Sequence, residues 1–266
     1  MQAAEYNCAV PLDALGAFAR KKIGKDQLLR ALCEHDKWFV PIDVATAVMT
    51  GKTFECLSVW GAVSKVPAGQ LYLFTDVEAG QRAAKTTSLG PYASPVAGAE
   101  LFRHLPPSLT EVHVNPGSAP ERSWFFGGDW VELSRRWGAA VVLERLLAGK
   151  RRRELTQELI DFGSFSTLRK PDGTLATAAG KGKLENPAMV FTAPDCCDAA
   201  LKAGGAEAKR WKRITGSGKQ LFTAFSNLGV DGLVLNPHGP GPTKTLDEAF
   251  CWGVVSAIAA RDKSPS

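Results

Sequence analysis

Two short apolar runs in this chain end on the same pair of residues: EVHVNPGS (Glu111 to Ser118) and GLVLNPHG (Gly232 to Gly239), with Asn115 and Asn236 standing 121 positions apart. Proline has no N–H for a strand ladder, so each run stops there and the chain leaves its sheet at one edge. A single such phrase is a turn signal. Two in matching surroundings restrict the chain to one fold written twice.

The surroundings do match. LYLFTD (Leu71 to Asp76) and MVFTAPD (Met189 to Asp195) each give an apolar run closed by Phe-Thr, followed by an acidic residue suited to the first turn of a helix. AGAELFRHL and GKQLFTAFSNLG read as short amphipathic helices, with Leu101-Phe102 and Leu221-Phe222 offset by 120. Three- and four-residue apolar spacing closes both halves: Trp130, Leu133, Trp137, Val141, then Leu246, Phe250, Val254, Ile258. Both closing helices contain Trp-Gly, at Trp137-Gly138 and Trp252-Gly253, where glycine permits close backbone approach.

Upstream, QLLRALCEHDKWFVPID and RELTQELIDFGSFSTLRK share only a helix-then-strand reading. TFECLSVWGAV is an extra strand candidate in the first half, where the second has a loop, LATAAGKGKLENP. SAPERSWFFGGDW reads as a loop inserted in the first half alone. The expected fold class is α+β: two tandem similar domains, each a small mixed sheet with packed helices. The boundary falls in AGKRRREL, giving residues 1–149, with an N-terminal helical extension, and 150–266.

The Phe-Thr strand followed by the Val/Leu-Asn-Pro strand resembles the SseB-like family, over LYLFTD to VHVNPGS and MVFTAPD to LVLNPHG, about half of each copy. The family takes its name from a bacterial enhanced-serine-sensitivity protein. The resemblance implies bacterial α+β domains of poorly defined biochemical role, with no active site to carry over.

Composition narrows the class further. A chain of 266 residues, 45% hydrophobic and 22% charged, has enough apolar material for folded cores and no run of 18 apolar residues to span a bilayer. A net charge of +5 spread over this length is not a nucleic-acid footprint, although Lys150 to Arg153 and Lys209 to Arg213 cluster locally and read best as solvated helix ends. Six cysteines form no Cys-x-x-Cys pair, and the N-terminus lacks a basic segment with an apolar run, so a reducing, cytoplasmic setting without signal peptide or lipid anchor is expected.

No reaction signature stands out. TGSGKQ invites a phosphate-loop reading, but glycine is missing where Arg213 stands and Ser/Thr is missing where Gln220 stands, so a helix-entry turn is expected. His35, His104, His113 and His238 fall in no ligand spacing, so neither metal nor cofactor is expected. Of these, His113 reads as structural, while His238 is loop-borne and could touch a ligand. Cys196-Cys197 at a helix start raises a redox-sensing role through thiols acidified by the dipole, against the plainer reading of half-buried packing residues.

The sequence therefore points to a non-catalytic protein-binding module, an adaptor or a toxin-neutralising immunity-type protein, that engages another protein through loops after the Asn-Pro strands. Its contact residues are Asn115, Gly117, Ser118, Trp124, Phe125 and Phe126 in the first copy and Asn236, His238 and Gly239 in the second. The alternative is a small-ligand sensor or enzyme with an anion site between the copies.

Overall fold

The computed structural model describes residues 11–41, 70–86, 93–105, 109–118, 122–149, 152–178, 184–240 and 242–263. The strand candidate TFECLSVWGAV lies outside them. The fold is α+β, with three small sheets among the described residues. Chain contacts divide it into units Met1–Val141 and Val142–Ser266, and the division falls inside a helix, ahead of the boundary at 149/150 expected from the sequence.

In the first unit the elements run α1 (Pro11–Ala19), α2 (Lys25–Glu34), β1 (Trp38–Pro41), β2 (Gln70–Leu73), α3 (Val77–Thr86), β3 (Ala93–Val96), α4 (Gly98–Arg103), β4 (Glu111–Val114), β5 (Trp124–Gly127) and the helix α5 (Asp129–Ala148), in which the division lies. β2 pairs parallel with β4, and β4 antiparallel with β5. β1 pairs antiparallel with β3 and meets the end of β2 through reciprocal Phe39 and Phe74 N–H···O bonds of 2.7 and 2.9 Å. The pleat turns Leu71, Leu73, Val112, Val114 and Phe126 into the core, where they join the buried Leu28, Leu29 and Leu32 of α2 and Leu101 and Phe102 of α4.

In the second unit follow α6 (Arg152–Asp161), β6 (Phe165–Arg169), β7 (Ala188–Phe191), α7 (Pro194–Ala203), α8 (Gly205–Ala208), β8 (Lys212–Gly216), α9 (Gly218–Thr223), β9 (Gly232–Leu235), β10 (Lys244–Asp247) and α10 (Glu248–Lys263). One five-stranded sheet has the order β10-β9-β7-β6-β8, in which only β7 and β9 run parallel. Every residue of β7 and β9 is buried. Such continuous apolar strands belong where both faces of a sheet are covered.

Two glycines fix helix placement. A Cβ on Gly98 would lie 2.4 Å from Leu32 O and one on Gly218 1.7 Å from Leu159 O, and their N–H groups donate to His35 O and Phe162 O, both at 2.7 Å. α4 can thus start only with glycine against the carbonyl end of α2, and α9 only with glycine against that of α6.

Several expectations are corrected. SAPERSWFFGGDW is not an inserted loop: its centre is β5, an arm paired to β4, and the second half has the same kind of arm in β10, paired to β9. Adjacent Gly and Pro punctuation hides a period-two pattern in which Phe126 turns in and Phe125 out. The Trp-Gly pairs also differ. Trp137 is buried and a Cβ on Gly138 would meet Arg103 N at 2.4 Å, whereas Trp252 is 43% exposed and a Cβ on Gly253 would point into open space.

Candidate functional site

Each Asn-Pro pair builds a turn from the residue upward. Asn115 (φ +47°) and Asn236 (φ +51°) occupy the left-handed region, which asparagine tolerates better than most L-residues. Ser118 N–H closes the first turn on Asn115 O at 3.1 Å and Gly239 N–H the second on Asn236 O at 3.2 Å. The third position is Gly117 (φ +80°) in one and His238 (φ +64°) in the other, the positive φ a type II turn demands there.

The asparagine side chains point into the protein. Asn115 N–H donates to Leu73 O (2.7 Å) and its Oδ1 accepts from Thr75 N (2.9 Å), tying the end of β4 to the end of β2. Asn236 repeats this with Val190 O (2.8 Å) and Thr192 N (2.9 Å). In the second unit a buried network grows from the tie: Asn236 Nδ2 donates to Thr192 Oγ1 (2.9 Å), which donates to Glu144 Oε1 (2.8 Å), with Cys196 Sγ 3.9 Å from the same carboxylate oxygen. Glu144 is 4% exposed and Cys196 wholly buried, so this cluster is sealed and serves to satisfy polar groups that burial would otherwise leave costly.

The turn and the network correct part of the expected contact set. Asn115, Asn236 and Phe126 are buried and cannot meet a partner's surface; they hold the edge in place. Trp124 is half-buried, stacked on Phe18 with ring centroids 4.6 Å apart and edge-on to Trp130 at 5.1 Å. Gly117, Ser118 and His238 are exposed, and a Cβ on Gly239 would meet Cys196 Cβ at 2.9 Å. His113 is half-buried on β4, as a strand residue. Cys196 and Cys197 are packing residues, fully rather than half buried, and burial pushes the Cys197 thiol up despite the Arg213 guanidinium 3.2 Å away. TGSGKQ is a capping box, with Gln220 N donating to Ser217 Oγ (3.2 Å) and Ser217 N to Gln220 Oε1 (2.9 Å), while Lys219 pairs with Asp262.

What the sequence reading missed is the outer face of the β2-β4-β5 sheet. Phe125, 62% exposed, lies flat against His113 (5.8 Å), and Tyr72 meets the other side of that ring edge-on (5.0 Å). Tyr72, His113 and Phe125 occupy one cross-strand register row. Beside them Gln70 Nε2 donates to Glu111 Oε2 (2.9 Å), which also lies 3.0 Å from His113 Nε2, and Tyr72 OH donates to Gln70 Oε1 (3.0 Å). The result is a half-open aromatic row with a pre-ordered polar border. Its signal was the alternation in QLYL and EVHV, which places polar or amphipathic residues on one face. In the second unit the matching register row is Met189, Val234 and Thr245, and its first two members are buried.

No protein-family model, curated protein or solved structure matches the chain. Among the described residues no group of three His, Cys, Asp or Glu side chains is arranged to hold a metal, and no helix is long and apolar enough to cross a membrane.

Proposed function

We propose that the chain is a tandem duplication of an α+β domain similar to the SseB-like family, and that it acts as a bacterial, cytoplasmic protein-binding module of adaptor or immunity type. The duplication is supported by strand order. β5-β4-β2-β1-β3, joined through the Phe39–Phe74 bridge, corresponds to β10-β9-β7-β6-β8, with the Asn-Pro ties and the glycine helix starts at matching places.

The binding reading is carried by one observation: Phe125 stands 62% exposed on an edge strand, at the end of the Tyr72–His113 row. A large ring held rigid by its neighbours loses little conformational freedom on contact, and aromatic residues with a polar rim are what binding hot spots are made of. The exposed turn at Gly117 and Ser118 follows β4, the strand to which β5 is paired.

Affinity capture from the source cell with the full chain tests this reading, followed by titration of the captured protein against Phe125→Ala. Binding is expected to weaken by about 1 to 4 kcal/mol with an unchanged melting temperature. Trp124 is a poor probe, because its removal would also unstack Phe18 and Trp130. Unaltered binding by Phe125→Ala would overturn the assignment of the face.

A further inference from the structure

The second unit carries a surface groove that the first unit fills with its own side chains. In the first unit Lys25, the first residue of α2, sits 4.2 Å above the Trp130 ring, and Phe18 and Trp124 pack against that tryptophan at 6.0 and 5.1 Å. Under the duplication, Lys25 corresponds to Arg152 at the start of α6, Trp130 to Phe250 and Trp124 to Lys244, each of the last two fixed by strand register. The cation over the ring persists, with Arg152 Cζ 5.0 Å from the Phe250 centroid. The other two rings do not: Lys244 replaces Trp124, and among the described residues no ring packs on Phe250.

What remains is an open groove of about 370 Å³ lined by Arg152, Leu155, Lys244, Leu246, Asp247 and Phe250. Leu155 and Leu246 are buried and form an apolar floor. Neither Arg152 nor Lys244 has a salt-bridge partner among the described residues, while the one acid, Asp247, accepts the Phe250 N–H at 2.8 Å and caps α10. The rim is therefore cationic over an apolar and aromatic floor.

We propose that this groove binds an aromatic side chain presented by an acidic segment of a partner protein, taking the place that Phe18 and Trp124 take in the first unit. The ring packs on Phe250 and the leucines, and flanking carboxylates meet Arg152 and Lys244. The inference rests on the protein-binding reading and on the duplication, and adds a second contact, in the second unit, of defined chemistry.

The test is an amide chemical-shift titration of the full chain with the blocked pentapeptide acetyl-Glu-Asp-Phe-Asp-Glu-amide. Saturable shifts are expected at Gly149, Leu246 and Phe250, lost when the peptide's Phe is replaced by Ala or its acids by Lys. Joint Arg152→Gln and Lys244→Gln changes should weaken binding about fivefold or more. Absence of saturable shifts, shifts centred on Tyr72, His113 and Phe125, or phenylacetate binding as tightly as the peptide would each overturn the proposal. Lys244→Trp, which restores the first unit's ring, should abolish peptide binding and raise the melting temperature. A lowered melting temperature in that variant counts against the duplication, while the wild-type titration still decides the groove.

Discussion

At the scale of single residues, Asn236 combines two properties that no other side chain supplies together. It accepts a left-handed backbone, and its amide satisfies Thr192 N and Thr192 Oγ1 in a buried setting. Asn236→Ala leaves Thr192 N without its partner, removes the bond that Thr192 Oγ1 accepts and strains the turn, so urea unfolding should show a loss of about 2 to 4 kcal/mol. Asn115→Ala should cost less, because its partner Thr75 is only partly buried. A second residue effect concerns pH. Burial lowers the pKa of His35 below its ordinary 6.5, against smaller raising effects from the Lys37 backbone and Asp36, and burial followed by Arg103 lowers that of His104. The unfolded chain therefore binds protons at higher pH than the folded one. Stability is complete above the ordinary histidine value and falls as pH drops from there toward the depressed folded values. Thermal melts between pH 7.5 and 5 should show this decline, and His35→Gln should flatten it.

At the scale of elements, the same residue type has opposite meanings in two helices. Gly218→Ala would drive a methyl into Leu159 O, so α9 must shift off α6, at about 3 kcal/mol or more. Gly253 lies within α10 with open space where a Cβ would stand, and alanine there should stabilise by about 1 kcal/mol through helix propensity. Equilibrium unfolding of the two variants reads both signs, and similar losses in both would refute the packing account. The Trp-Gly repeat in the sequence suggested equivalent roles. Under the proposed duplication, strand register makes the exposed Trp252 equivalent to Glu132, not to Trp137, because Gly127 corresponds to Asp247 and both closing helices are counted from there.

At the scale of the whole molecule, the four cysteines among the described residues lie in the cores of the two units. Cys33, Cys196, Cys197 and Cys251 are buried, and burial pushes Cys251 up to about 12. Since the thiolate is the reactive form, a Cys8→Ser/Cys56→Ser chain should show no fast-reacting thiol toward a disulfide reagent until denatured. The sequence by itself marked the strands that end in Phe-Thr and Asn-Pro and the helix entry at Ser217, because periodicity, Asn-Pro endings and capping residues such as Ser217 and Gln220 act within a few neighbours along the chain. It also marked the edge where the turns emerge. What it could not determine is which side of that edge faces outward. Phe125 and Phe126 are adjacent and identical, yet pairing to β4 exposes one and buries the other. Asn115 and Asn236 look like loop contacts until the parallel strands β2 and β7 supply Thr75 and Thr192 as inward partners. The groove beside Phe250 exists only because residues distant in sequence, Arg152 and Lys244, converge on it. Burial and register depend on pairing between strands and on packing between distant segments, so tertiary structure alone decided them.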